Sequence, residues 1–200
     1  MVTNAYEAFR AQPSIGGAEA PPPNVAKSFD SPQDMNIASE STVTATLHTS
    51  CGDIVLDLDP QAAPHTVNSF VFLAKEGFFD GTVSHRIVPG FMVQAGDPTA
   101  SGSGGPGYSI PDEFPEAGFV YKRGVLAMAN AGPGSSGSQF FMMLDDAGLP
   151  PAYSVFGQVT DGFDALDKMA TVKLGQQDHG SEKSKPMETV YIHSVDIAIS

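Results

Sequence analysis

The sequence has no tryptophan and only one cysteine, Cys51, among its 200 residues. A single cysteine cannot form a disulfide within the chain, which fits a reducing compartment without proving one. Free cysteine is more often a small apolar side chain than a reactive thiol, so we expect Cys51 to fill space beside a strand. A fold held together by disulfides is therefore excluded.

Positive charge is also scarce, since 10 Lys and Arg residues face 23 Asp and Glu residues, for a net charge of −13. Nucleic acids and anionic membranes attract basic surfaces, so we expect neither as a partner. No apolar run reaches the roughly 18 residues of a membrane span, and the first residues do not resemble a signal peptide. We expect a cytoplasmic protein, or a secreted or membrane-anchored one if a signal or anchor precedes this sequence.

The composition changes near residue 40. Residues 1–40 contain Gly16–Gly17 and Pro21–Pro23 with scattered Ser, Asp and Asn and no sustained period. This pattern predicts a flexible N-terminal arm or linker, with disorder favoured over docking, although a short helix over Ala5–Arg10 is compatible with it. Residues 41–200 are predicted to form the folded domain, because 41% of the chain is hydrophobic and can build a core.

The domain alternates between short strands and two helices. Apolar and polar residues alternate on both sides of the turn-like segment 48–53, which predicts a β-hairpin. Helical spacing follows Pro64 and recurs after Phe163. Gly- and Pro-rich segments separate further short apolar runs, which are predicted as strands. These runs are 82–88, 91–95, 124–128, 139–143, 154–159 and 189–199. Many short strands with few helices predict a mainly β fold, a barrel or sandwich with helical caps.

Several familiar motifs are absent or fail. Gly102–Gly107 matches G-x-G-x-x-G, but Pro106 lies inside it and no helix pattern follows, so nucleotide binding is not expected. No HExxH or G-x-S-x-G motif is present, which argues against a metal site and a serine hydrolase. His85 lies in a strand pattern and is expected to be a packed, hydrogen-bonded histidine.

One arginine stands out because it lies in an apolar stretch. The chain has three arginines, and Arg86 is followed eight positions later by Gln94, with a Pro89–Gly90 turn between them. A hairpin at that turn brings the two side chains to the same face of a sheet. On this pattern alone, core strands with one surface arginine and a functional arginine are equally supported.

With its flanking motifs, the sequence resembles the cyclophilin family of prolyl isomerases over roughly residues 42–199, about four-fifths of the chain. The motifs agree in order and spacing: FFDGT at 78–82, HRIVPGFMVQAGD at 85–97, GSGG at 102–105, GVLAMANA at 124–131, GSQFF at 137–141 and VFG at 155–157. The resemblance implies an eight-stranded antiparallel β-barrel capped by two α-helices, with a substrate groove on its outer face. It also implies that no cofactor or metal is needed.

The resemblance assigns roles to individual residues. Arg86 corresponds to the family's catalytic arginine and Gln94 to the glutamine that orients it. The remaining implied residues contact the substrate: Phe91, Met92 and Phe140 in the proline pocket, Ala129 and Asn130 through backbone groups, and Gln139 at the adjoining pocket.

Two positions depart from the family pattern. Many members place a tryptophan on the pocket wall, and here Leu149 is assigned to that wall. Tyr153 stands where many members have a histidine. Because the tryptophan matters for cyclosporin in the family, these changes predict weak cyclosporin binding and leave Arg86 in place.

The resemblance therefore predicts a monomeric peptidyl-prolyl cis-trans isomerase that acts on proline-containing polypeptides and assists protein folding. The alternative is a non-catalytic module that keeps the groove and uses it to hold proline peptides, as a chaperone does. The presence of Arg86 and Gln94 favours the enzyme.

Overall fold

A single antiparallel sheet of eight strands dominates the computed structural model, which describes residues 4–177 and 181–200. The strands are β1 Val43–Thr49, β2 Gly52–Leu58, β3 Arg86–Val88, β4 Met92–Ala95, β5 Val125–Met128, β6 Phe140–Met143, β7 Val155–Asp161 and β10 Ile192–Ile199. Their order across the sheet is β10-β1-β2-β7-β5-β6-β4-β3. A separate hairpin pairs β8 Leu174–Gln176 with β9 Lys183–Pro186.

The two edge strands of the large sheet approach each other, which curls the sheet into a barrel. The segment before β3 pairs with the start of β10: Ser84 N–H donates to the Val190 carbonyl and Ile192 N–H to the Thr82 carbonyl, both at 2.9 Å. These bonds satisfy backbone groups that an open edge would expose. The predicted eight-stranded antiparallel barrel is confirmed, and β1 and β2 form the predicted hairpin.

The two helices predicted for the domain are present as α2 Pro64–Lys75 and α3 Phe163–Met169. Pro64 occupies the first turn of α2, where its missing N–H costs nothing. The turn into α3 requires a glycine, because Gly162 has a φ of 83° and an added Cβ would lie 2.1 Å from the Asp53 carbonyl oxygen. None of the helices in the described residues is long and apolar enough to cross a membrane.

Four phenylalanines meet inside the barrel and form the centre of its core: Phe70, Phe79, Phe140 and Phe156. The Phe70 ring lies 5.1–5.5 Å from the other three, mostly in tilted or edge-on arrangements. Such arrangements stabilise aromatic pairs beyond the area they bury. The barrel interior is therefore a packed core, and any groove must lie outside it.

The N-terminal arm contacts the barrel, which corrects the expectation of a segment without docking contacts. It begins with helix α1 Ala5–Arg10, and Tyr6, Phe9 and Ile15 are all buried. Thr189 ties the arm down: its N–H donates to the Pro13 carbonyl, and its carbonyl accepts from Ile15 N–H. The apolar residues of the arm are too few and too irregularly spaced to show a period, although each fills a site on the barrel. The boundary near residue 40 stays a prediction.

The β8–β9 hairpin was not predicted. Its strands, LGQ and KSKP, contain a single large apolar side chain, Leu174, and show no apolar alternation. The hairpin lies against β3, the strand that begins with Arg86. Strand β9, which has no hydrophobic pattern, therefore forms part of the surroundings of Arg86.

His85 is buried next to β3, with 5% of its surface exposed. Neither ring nitrogen has a hydrogen-bond partner among the described residues, so the expected packing is present but the expected hydrogen bond is not. Burial, which disfavours the charged ring, lowers the pKa of His85 to about 4; the charge of Asp97 opposes this shift and the charge of Arg86 adds to it. The ring is neutral in the folded protein under ordinary conditions.

Replacing Phe9 with alanine should lower the free energy of unfolding by about 3 kcal/mol, because a fully buried ring is lost from the interface of arm and barrel. Urea denaturation measures this. The control is Val25→Ala in the same arm, which should change stability by less than about 0.5 kcal/mol because Val25 is 74% exposed. Equal, small effects of both changes would mean that the arm does not pack as described.

His85 should make the fold sensitive to mild acid. In the unfolded chain His85 takes up a proton near its ordinary pKa of 6.5, whereas in the folded chain it does so only near pH 4. Protonation therefore favours the unfolded chain, and the free energy of unfolding falls as the pH drops from about 6.5 to 4. The full loss is about 3 kcal/mol. Denaturation of wild type and His85→Gln from pH 7 to 4 should show a shallower decline in the variant. The exposed-site control, His65→Gln, should follow wild type, and identical slopes for all three would contradict this origin.

Candidate active site

The outer face of the barrel carries an arginine and a glutamine on adjacent strands. Arg86 on β3 pairs directly with Gln94 on β4 across the turn at Pro89–Gly90, as the spacing predicted. Arg86 Nη1 donates to Gln94 Oε1 at 3.2 Å. One third of the arginine side chain is exposed, so its guanidinium is accessible from the surface.

A carboxylate holds the other edge of the guanidinium. Arg86 Nε and Nη2 donate to the two oxygens of Glu182, each at 2.8 Å, in a bidentate pair. The hydrogen bonds from Arg86, followed by one from the Ser184 hydroxyl, lower the pKa of Glu182 to about 2. The carboxylate is therefore ionised at neutral pH, and the pair is charged on both sides.

A chain of amide side chains links the arginine to a glycine-rich loop. Gln94 Nε2 donates to Gln139 Oε1 at 2.9 Å, and Gln139 Nε2 donates to the Gly104 carbonyl at 2.9 Å. Gln94 thus accepts from Arg86 and donates to Gln139. The network orients both amides and places Gln139 between the arginine and the loop.

An apolar surface lies beside the arginine, on the same outer face. Met92 of β4 is buried in a cluster with Phe141 and Met143, against which Phe91, Ala129, Leu149 and Tyr153 pack partly exposed. The Tyr153 ring lies 5.5 Å from that of Phe141 and perpendicular to it. This cluster is separate from the barrel core and forms an apolar wall next to the guanidinium.

The assignment of Phe140 to the pocket was wrong by one residue. Phe140 points into the barrel, where its ring lies 5.5 Å from Phe70, whereas Phe141 belongs to the outer cluster with Met92. Successive side chains of a strand point to opposite faces, so only one of the two can reach the groove. Both residues are aromatic and both faces of β6 are buried, so the sequence alone does not reveal the alternation.

A cleft of about 710 Å³ adjoins this surface on the side of Gln139. Ala129 and Asn130 line it, together with residues 102–109 of the loop that matched the rejected nucleotide motif. Asn130 Nδ2 donates to the Ala152 carbonyl at 2.8 Å, which ties the cleft to the segment before Tyr153. The cleft wall is largely backbone and small side chains, suited to an extended peptide.

Asp97 holds the glycine-rich loop in place. Its buried carboxylate accepts hydrogen bonds from the N–H groups of Thr99, Gly102 and Gly104. Burial acts to raise the pKa of Asp97, but the hydrogen bonds from the Thr99 hydroxyl, Thr99 N–H and Gly104 N–H, with a contribution from His85, outweigh burial and lower the pKa. An added Cβ at Gly104 would lie 2.0 Å from Asp97 Oδ1, so only glycine fits there.

Two residues of the site were not anticipated. Phe141 was hidden by the neighbouring phenylalanine, and Glu182 lies on the unpredicted hairpin, 96 positions after Arg86. No local pattern joins residues so far apart in sequence. Within the described residues, no group of three His, Cys, Asp or Glu side chains could hold a metal ion.

Comparison with known proteins agrees with this geometry. The family model described as "Cyclophilin type peptidyl-prolyl cis-trans isomerase/CLD" matches residues 44–197. "Probable peptidyl-prolyl cis-trans isomerase B" of Mycobacterium tuberculosis (strain ATCC 25618 / H37Rv) is 44% identical over 168 residues, which cover 76% of this chain and 54% of that protein. "Putative peptidyl-prolyl cis-trans isomerase" of Staphylococcus aureus (strain COL) is 36% identical over 199 residues, which cover 83% of this chain and 97% of that protein.

Solved structures give the same result. A Cryptosporidium parvum cyclophilin type peptidyl-prolyl cis-trans isomerase, crystallised in the presence of the dipeptide Ala-Pro, has a TM-score of 0.71 and 30% identity, covering 78% of this chain and 98% of that one. The chain spans about half the length of its mycobacterial relatives. The strand order, the outer groove and the match over residues 44–197 lead to one conclusion: this chain belongs to the cyclophilin-type peptidyl-prolyl cis-trans isomerase family.

Proposed function

We propose that this chain catalyses the cis–trans rotation of X–Pro bonds in polypeptides and so assists protein folding. The observation that carries the proposal is the position of Arg86, a fixed but accessible guanidinium beside an apolar surface. Proline-containing polypeptides are the proposed substrates. The Ala-Pro dipeptide in the crystals of the Cryptosporidium parvum relative supports that substrate class.

The reaction explains why the site needs no nucleophile or metal. Rotation about an X–Pro bond makes and breaks no covalent bond, and its barrier of roughly 18–20 kcal/mol comes from amide resonance. In the twisted state the prolyl nitrogen regains a localised lone pair. A donor aimed at that nitrogen stabilises the twisted state more than the planar one, which is the condition for catalysis.

Arg86 is suited to be that donor. Its guanidinium is permanently charged and planar, and it carries five N–H groups. By comparison with the removal of an oxyanion-hole donor, one such hydrogen bond supplies about 3–4 kcal/mol of transition-state stabilisation. Gln94 fixes one edge of the group, so little reorganisation is needed when the amide twists.

The apolar surface would hold the proline ring. Met92 and Phe141 form its floor, with Phe91 and Leu149 at its border. Excluding water from this surface strengthens the arginine hydrogen bond, because the local dielectric falls. The backbone of Ala129 and Asn130 would bind the residues before proline along the cleft wall.

Cyclosporin binding stays a prediction. Leu149 packs against the cluster of Met92 and Phe141 but is only partly buried. A leucine offers neither the area nor the N–H donor of an indole. We therefore propose that cyclosporin is bound weakly.

Arg86→Ala should slow isomerisation of an Ala-Pro test peptide at least tenfold, because the donor to the prolyl nitrogen is lost, while peptide binding and the melting temperature persist. A proline-isomerisation assay measures the rate. Arg123→Ala is the matched control, since Arg123 pairs with Asp167 instead and should leave the rate within twofold of wild type. An unchanged rate in Arg86→Ala would refute the assignment of Arg86 as the donor, whereas a wild-type protein that does not exceed the uncatalysed rate would favour the binding module over the enzyme.

A further inference from the structure

The β8–β9 hairpin places one carboxylate directly on the guanidinium of Arg86. We infer that Glu182 is a positioning residue, which holds that guanidinium in the orientation needed to donate to the prolyl nitrogen. This inference rests on the proposed function of Arg86. It adds the hairpin to the machinery around the groove, alongside Gln94.

The geometry of the ion pair restricts the arginine more than one hydrogen bond would. Both oxygens of Glu182 accept from the same edge of Arg86, at 2.8 Å from Nε and 2.8 Å from Nη2. Two parallel bonds fix the plane of the guanidinium as well as its position. A single contact such as the 3.2 Å bond from Nη1 to Gln94 would leave the plane free to rotate.

Glu182 is itself held in place by the hairpin. The Ser184 hydroxyl donates to Glu182 Oε2 at 2.6 Å, and Gln177 Nε2 donates to the Ser184 oxygen at 3.0 Å. Ser184 is fully buried, and Gln177 N–H also donates to the Glu182 carbonyl at 3.0 Å. The carboxylate is therefore a fixed acceptor and does not simply follow the arginine.

The remaining donors of Arg86 are sufficient for the substrate. Glu182 takes the Nε–H and one Nη2–H, and Gln94 takes one Nη1–H. Of the five N–H groups, one on Nη1 and one on Nη2 are without a hydrogen bond to the described residues. Glu182 and Gln94 thus occupy the donors needed for orientation and leave two terminal donors for the substrate.

The ion pair is placed to affect the rate more than stability. The side chains are 33% and 46% exposed, and pairs exposed to this degree contribute little to folding because water and salt screen them. The rate of catalysis is more sensitive to such a pair than stability is, because a misplacement of about 1 Å at a reacting group lowers the rate by a large factor. Removing Glu182 should therefore leave the melting temperature nearly unchanged.

Glu182→Ala should lower kcat for an Ala-Pro test peptide about fivefold to tenfold, with KM changed less than twofold, because the arginine samples unproductive orientations. Glu182→Gln should fall between the alanine variant and wild type, since an amide offers one acceptor where the carboxylate offers two. Glu188→Gln removes one negative charge six positions along the chain and should keep the wild-type rate. A rate in Glu182→Ala equal to or above wild type would overturn the inference.

A double-mutant cycle separates this inference from the proposed function. If Glu182 acts through Arg86, adding Glu182→Ala to Arg86→Ala should cause no further loss of rate. The same loss in both backgrounds would overturn the positioning role of Glu182. A wild-type rate in Arg86→Ala alone would overturn the role of Arg86, and a wild-type protein that does not exceed the uncatalysed rate would overturn the proposed function. NMR of the Arg86 Nε–H gives a readout without activity: its signal should be protected from exchange in wild type and lose that protection in Glu182→Ala. Unchanged protection contradicts the role of Glu182.

Discussion

Strands β4 and β6 are buried on both faces, and the whole site depends on this constraint. One face of each strand packs into the barrel, through Val93 and Phe140, and the other packs outward, through Met92 and Phe141. The inner residues make the barrel rigid, and the outer ones form the surface on which a proline ring would lie. A shift of one residue in strand pairing would exchange the two sets, so the fold and the site share one register.

The same register places the polar part of the site. Because Arg86 and Gln94 are direct partners on β3 and β4, their side chains meet on the outer face beside Met92. The network then runs in both directions, through Gln139 to the glycine-rich loop and through Glu182 to the β8–β9 hairpin. A single guanidinium thus joins elements that are distant in sequence. This arrangement suits a reaction whose catalyst must only orient a donor.

Local pattern and resemblance predicted the barrel, its helices and the pairing of Arg86 with Gln94, because strand alternation and turn residues are encoded within a few positions. What they missed depends on tertiary contacts. Two adjacent phenylalanines on a doubly buried strand give no signal for which one, Phe140 or Phe141, faces outward. Glu182 lies on a polar hairpin without periodicity, and the arm's few buried residues have no repeat. Composition alone therefore predicted a flexible arm without contacts to the barrel.

The most direct test of the central claim compares wild type with Arg86→Lys in a proline-isomerisation assay. Lysine keeps the positive charge but lacks the planar fork that Gln94 and Glu182 hold. If an oriented donor accounts for catalysis, the lysine variant should be at least tenfold slower while still binding the peptide. A lysine variant as fast as wild type would show that charge alone is sufficient and would contradict the account.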